Sequence, residues 1–475
     1  MNGAEALALF DADFKHEVFL WLGGIYFVIL LYWLISLKDE LLKSFYSASF
    51  ERVWCIISLL AGILFAGLLA SEWEPMSAGT AVAIGLCVSL AMIHVSASAC
   101  LLASSLYLRP WELLDNDPYL SVLPRLSIIL CLSHLVIHFL KKGKISFQWN
   151  RLSQVLLAFT VWVFLSTLVA PDSGASQSEF FDGFMKSILL YFILIQMVRQ
   201  DSSLKLLKGT LLLSFLFVGI ISLYQTLKLG AALPDVENRL KGFGAFTNSN
   251  DIAALMTFIL PFSMVVALRK REAKLMRALG WLLSLVAITA IVWSRSRGAL
   301  LGVMATLVLY VILRIGKKAI VPVIGLAVLL AIPAMILVSN RGSDDLEGSS
   351  AGRKTYLKAG LRMGTRNPIL GVGFNAFPES LQTYSTESLE ESNQMTAHNS
   401  WILVFAETGV PGLILFTLAF AICIRYSWQI YASQPEFLLA LVGYGVSIFF
   451  LSHSYLIYPY LLYALVHIAH SLRKA

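Results

Sequence analysis

Stretches of about twenty consecutive apolar residues recur from Leu20 to the C-terminus, and no other feature of this chain restricts its fold so tightly. At 1.5 Å per residue, such a stretch crosses a hydrocarbon core of ~30 Å as a helix. Lipid offers the backbone no water, so only helices and closed barrels can span it. A barrel would alternate polarity over segments of roughly ten residues. These runs are instead continuous in Leu, Ile, Val and Phe, with short charged loops between them. Only 14% of residues are charged, against about 25% in soluble domains.

Counting ~20 residues per crossing gives about fourteen spans, among them runs near 79–106, 152–170, 319–338 and 400–424. The expected fold class is an all-α polytopic membrane protein of about 12–14 transmembrane helices with one large outer loop. Four regions divide it: an N-terminal pair of spans over 1–77, a core bundle over 78–338, the large loop over 339–398 and C-terminal spans over 399–475. Lys and Arg accumulate in cytoplasmic loops. Lys141-Lys142, Arg269 to Arg277, Arg314 to Lys318 and Arg473-Lys474 alternate onto one side, which is read as the inner one. Topology thus accounts for the net charge of +7, and no nucleic-acid partner is expected. The N-terminus carries Asp11 and Asp13 rather than a basic leader and is expected to be retained. The five cysteines lie in or beside apolar runs without ligand or CxxC spacing, and are expected to serve packing.

Positive charge on the outer side contradicts the rule that organises the rest of the chain. It occurs at Arg239 and Lys241 before Asn248-Ser249-Asn250-Asp251, at Arg295 and Arg297 in a tight hairpin, and at Arg353-Lys354. The last pair opens a segment in which Tyr356, Leu357, Leu361 and Met363 recur at helical spacing, the pattern of an amphipathic surface helix. Beside these stands His398, in Ala397-His398-Asn399-Ser400-Trp401, just ahead of a long apolar span. Guanidinium forks hold a diphosphate bidentately, and a histidine titrating near neutrality can take a proton from an attacking hydroxyl.

Each feature has a plainer reading. An arginine at a membrane edge most often snorkels to headgroups, and a histidine before a helix often only caps it. His94, His134, His138, His467 and His470 read as packing or interfacial residues, with His453 a weaker second candidate. The acidic run Ser343-Asp344-Asp345-Leu346-Glu347 lacks a partner at ligand spacing and reads as solvated, so no metal and no cofactor are expected.

Three stretches resemble the O-antigen ligase/polymerase superfamily of bacterial envelope glycosyltransferases. They are Ser294 to Gly302, with its Ser-Arg-Gly approach to a span; Gly352-Arg353 through Asn367-Pro368 to Gly371-Val372-Gly373-Phe374; and Ala397-His398-Asn399 to Glu407-Thr408-Gly409-Val410-Pro411-Gly412. The resemblance implies a GT-C-like, metal-independent, inverting enzyme of the bacterial inner membrane, working at its periplasmic face. Its donor would be an undecaprenyl-diphosphate-linked glycan, its acceptor a glycan, lipid A core or protein, and membrane lipids would surround it. Arg239, Arg297 and Arg353 would hold the diphosphate, and His398 would activate the acceptor. Phe246-Thr247-Asn248 departs from the family's Phe-x-Asn-Pro-Asn, so Lys241 is an alternative to Arg239.

A lipid-linked-glycan flippase or other transporter is the competing reading. Transporters place charge near the bilayer midplane and repeat their halves around broken helices, whereas these spans are nearly charge-free and the halves do not match. An envelope scaffold would leave the outer arginines without a role.

Overall fold

The computed structural model describes residues 3–46, 49–72, 78–113, 118–143, 147–232, 239–240, 242, 248–315, 343–385 and 396–474. In chain order the helices are α1 (Gly3–Tyr46), α2 (Ser49–Glu72), α3 (Ala78–Ile93), α4 (Val95–Leu108), α5 (Pro110–Leu113) and α6 (Val122–Lys142). Then come α7 (Arg151–Thr167), α8 (Ser173–Glu179), α9 (Met185–Met197), α10 (Asp201–Ala232), α11 (Ser249–Leu268), α12 (Lys274–Ser294) and α13 (Arg297–Ile315). The chain closes with α14 (Ser343–Arg366), α15 (Phe377–Tyr384), α16 (Ser400–Ile430), α17 (Pro435–Ile448) and α18 (Ile457–Lys474). A π-helical turn over Phe180–Phe184 joins α8 to α9. Among the described residues there is no strand, and nine helices are long and apolar enough to cross a membrane. The chain is an all-α polytopic membrane protein, and all five cysteines are buried and unbridged. The span expected at 319–338 lies outside the described residues.

Two compact units share these helices. The first comprises Met1–Phe147, Ile193–Ser249 and Leu282–Val286. Small residues bring α2 against α3: a Cβ on Gly62 would strike the Gly85 carbonyl and Ser89, the close approach that packs helices in lipid. Trp33 of α1 donates to Thr210 Oγ1 of α10 at 2.8 Å. The run at 79–106, expected to be one span, is two helices. At His94 the backbone turns extended, and its Nδ1 accepts the Ser96 N–H at 3.2 Å. The imidazole thereby caps α4, while its Nε2 meets Glu40 at 2.5 Å. His94 is a helix breaker with an acidic partner, more than a packing residue.

The second unit comprises Gln148–Phe192, Asn250–Trp281 and Ala287–Ala475. Its organising feature is a break in α16. Pro411 has no N–H for the Glu407 carbonyl, and its ring crowds that carbonyl. The helix yields at Gly409, with φ 69° and ψ −165°, a conformation essentially confined to glycine. Three carbonyls and one N–H at the break find partners outside the helix. The Ala406 carbonyl accepts Val372 N–H at 2.9 Å, and the Glu407 carbonyl accepts Gly373 N–H at 3.2 Å and Ser166 Oγ–H at 2.5 Å. The Thr408 carbonyl accepts Trp162 Nε1–H at 2.9 Å, and Val410 N–H goes to the Pro368 carbonyl at 2.8 Å. The loop from Pro368 to Phe374 is thus seated in the gap, with Gly371 at φ 68° and Gly373 at φ 107°. A Cβ on Gly373 would lie 2.6 Å from Ala170 Cβ.

This junction hangs α14 and α15 on α16. Tyr356, Ala359 and Met363 of α14 are buried with Phe377, Leu381, Leu403 and Ala406 in one core. The amphipathic pattern is real, but Leu357 and Leu361 are 38% and 39% exposed and stay out of this core. On the far side α13 meets α17 through Gly302 and Gly443, and Thr306 Oγ1 donates to the Leu439 carbonyl at 3.2 Å.

Gly409→Ala places a side chain in a forbidden conformation and against the Ile369 backbone. It is expected to destabilise the protein by about 1–3 kcal/mol, read as a fall in thermal midpoint in detergent. Gly67 is helical and has open space around it, so Gly67→Ala is expected to leave that midpoint unchanged or raise it. The reverse order would show that the break is not under strain.

Candidate active site

Separated segments of the second unit converge on one cavity of about 480 Å³. Ser294 ends α12, and Arg295 reverses the chain in the left-handed region at φ 51°. Ser296 N–H then bonds back to Ser294 Oγ at 3.1 Å. This tight turn puts Arg297 in the first turn of α13, where free N–H groups and the helix dipole already favour an anion. Arg297 and Gly298 line the cavity, and a Cβ on Gly298 would come within 3.0 Å of the Phe450 ring. The glycine lets the Arg297 turn approach the apolar floor of Phe449, Phe450 and Leu451.

The second wall is α14. With Tyr356 and Ala359 turned into the core, Arg353, Lys354, Leu357 and Lys358 fall on the cavity face. The third is Ala397-His398-Asn399. Asn399 Oδ1 caps α16 by accepting the N–H groups of Trp401 and Ile402, each at 3.0 Å. His398 precedes it in the left-handed region at φ 49°, which histidine tolerates better than most side chains. The Tyr356 ring stands 6.0 Å from the imidazole, centre to centre.

Four cations therefore share the lining with His398, and no carboxylate is among its described residues. Such a cavity favours a multiply charged anion. Burial lowers the His398 pKa below its ordinary 6.5, and the Arg353 guanidinium lowers it further, whereas Asp251 opposes both. At pH 7 the imidazole is neutral and able to accept a proton. The depressed value also means that protonation works against folding. The contribution is present above the ordinary histidine pKa and is lost as pH falls through the lowered one.

Of the residues singled out in the sequence, Arg297, Arg353 and His398 come together here, with Lys354. Arg239 belongs to the first unit, and Lys241 lies outside the described residues, as do Arg341 and the side chains of Asp344, Asp345 and Glu347. Behind the His398 wall is an arrangement that sequence reasoning did not find. His453, 2% exposed, bonds through Nε2 to Asp251 Oδ1 at 3.0 Å and through Nδ1 to the Tyr444 hydroxyl at 2.9 Å. Asp251 had signalled only a helix start, and nothing in a linear sequence joins it to a histidine 202 positions later.

Arg353→Gln removes a cation from beside His398 and is expected to raise the imidazole pKa. The pH dependence of His398 acylation by diethylpyrocarbonate, followed by peptide mass spectrometry, should move its midpoint upward. A downward or absent shift would place Arg353 away from the imidazole.

A search of curated proteins finds no match to the chain. Residues 282–417 match the family model described as O-antigen ligase. That segment contains the α12–α13 turn, α14, the glycine junction and His398, so three of the cavity's four sides fall within it. That match supports the O-antigen ligase/polymerase superfamily and a function of that general type.

Proposed function

We propose that the protein transfers a glycan from an undecaprenyl-diphosphate carrier to an acceptor hydroxyl at the periplasmic face of the bacterial inner membrane. The observation that carries this reading is the cavity itself, where Arg297, Arg353 and Lys354 surround a neutral His398. His398 takes the proton of the acceptor hydroxyl as its oxygen attacks the anomeric carbon from the face opposite the diphosphate. The glycosidic C–O bond breaks, and its electron pair leaves on the diphosphate. The anomeric configuration inverts in this single displacement, with no metal ion required. Negative charge on the leaving group grows along this path, so Arg297 and Arg353 stabilise the transition state more than the bound donor. Arg239 and Lys241 are assigned to the same diphosphate. The acceptor hydroxyl belongs to a glycan, a lipid A core or a protein.

The breaks at His94, with Glu40 beside it, and at Gly409 suit a transporter. A vesicle assay in which the purified protein moves lipid-linked glycan between leaflets, with no new glycosidic bond, would favour that reading.

Transfer from undecaprenyl-diphosphate glycan by the purified protein tests the proposal. His398→Ala is expected to lower kcat by about 10²–10⁴-fold. Arg297→Ala and Arg353→Ala are each expected to lower kcat/KM by about 10²–10³-fold. Wild-type transfer by His398→Ala would sink the assignment.

A further inference from the structure

His398 has a difficulty that the arginines create. Once it has taken the acceptor proton, it is a fifth positive charge beside Arg297, Arg353, Lys354 and Lys358. Such a charge, half-buried and among like charges, needs a carboxylate within reach. The lining supplies none, but the residue after Asn250, itself a lining residue, is Asp251.

A carboxylate in the first turn of α11 would suit the helix dipole without further help. Asp251 has much more than that. Its Oδ1 accepts from His453 Nε2–H at 3.0 Å. In the neutral imidazole this leaves Nδ1 to accept the Tyr444 hydroxyl proton at 2.9 Å, so one tautomer satisfies both bonds. His453 is held in turn by its own backbone: its N–H donates to Ser400 Oγ at 2.9 Å, and that hydroxyl donates to the Leu451 carbonyl at 2.8 Å. Ser400 lies two residues beyond His398, in the first turn of α16. The carboxylate, its buried anchor and the segment bearing His398 are thus bonded into one frame, with Phe449 to Leu451 as its cavity side.

We infer that Asp251, anchored by His453 and Tyr444, is the positioning carboxylate that balances His398 when it takes the acceptor proton. This rests on the transfer reading above. In that step the acceptor O–H proton passes to the imidazole, the oxygen forms the new glycosidic bond, and the diphosphate leaves with the electron pair of the old one. Asp251 forms no bond to the reacting atoms and acts only through its field at the imidazolium. The charged groups around His398 are then Arg297 from α13, Arg353, Lys354 and Lys358 from α14, and Asp251 from α11, with His453 behind it.

The test uses the full chain in lipid nanodiscs with Asp251→Asn, Asp251→Glu and His398→Ala. Asp251→Asn is expected to lower kcat about tenfold or more, with KM within about twofold. It should also move the acid limb of the kcat profile, and the midpoint of His398 acylation by diethylpyrocarbonate, to lower pH. Asp251→Glu, which keeps the charge, should retain the wild-type midpoint and recover part of kcat. An unshifted midpoint in Asp251→Asn, a loss confined to KM, or a midpoint in Asp251→Glu that falls as far as expected for Asn would each overturn the inference. Wild-type transfer by His398→Ala would remove the transfer reading itself. An inactive His398→Ala beside a fully active Asp251→Asn rejects the role of Asp251 alone.

Discussion

The second unit depends on how a helix in lipid survives losing its own hydrogen bonds. Pro411 and Gly409 take three carbonyls and one N–H out of the helical ladder, at a depth where water would have to be replaced by protein. Main-chain groups between Pro368 and Gly373 and the side chains of Ser166 and Trp162 take their place. What reads in the sequence as two motifs, Gly371-Val372-Gly373 and Glu407 to Gly412, is a single joint. Its consequence reaches the cavity. The loop that fills the gap is continuous with α14, which presents Arg353, and the helix that contains the gap begins beside His398. Glu407, 2% exposed, reinforces the joint by accepting Phe377 N–H at 3.2 Å.

Electrostatics then divides the labour. Cations on α13 and α14 create a demand for negative charge, while burial first and the Arg353 guanidinium second lower the His398 pKa; in the transfer we propose, the imidazole is neutral until it takes the acceptor proton. In that proposed step the same cations oppose the imidazolium, and the partly exposed Asp251, held by the buried His453, would offset them. A hydrogen bond between a carboxylate and an imidazole is weak evidence for a role beyond stability. Its placement behind a titrating group is better evidence for chemistry.

The sequence made the spans legible because their length is set by the bilayer and their composition by lipid. It also made Arg297, Arg353 and His398 legible, because cations on the outer side break the topology rule and their order follows a family pattern. The break at His94 was hidden because an imidazole that caps a helix looks like one packed in a span. The faces of α14 were partly misjudged: Tyr356 and Met363 do turn inward, but Leu357 and Leu361 stay out of that core, and Leu357 lines the cavity instead. Asp251 and His453 were out of reach for another reason. Their bond joins the start of α11 to a turn after α17, and long-range pairs leave no trace in a single sequence.

The left-handed backbone at His398 sets which neighbours in sequence space the site can visit. Asn and Asp tolerate that conformation best after glycine, and each is one base change from a histidine codon. Asn would keep the basic walls and delete the base, whereas Asp would set a carboxylate among the cations. If the cavity takes the diphosphate we propose, drift to Asn at this position leads to a folded protein that binds the donor and does nothing to it. A catalyst of this design lies a single step from a receptor.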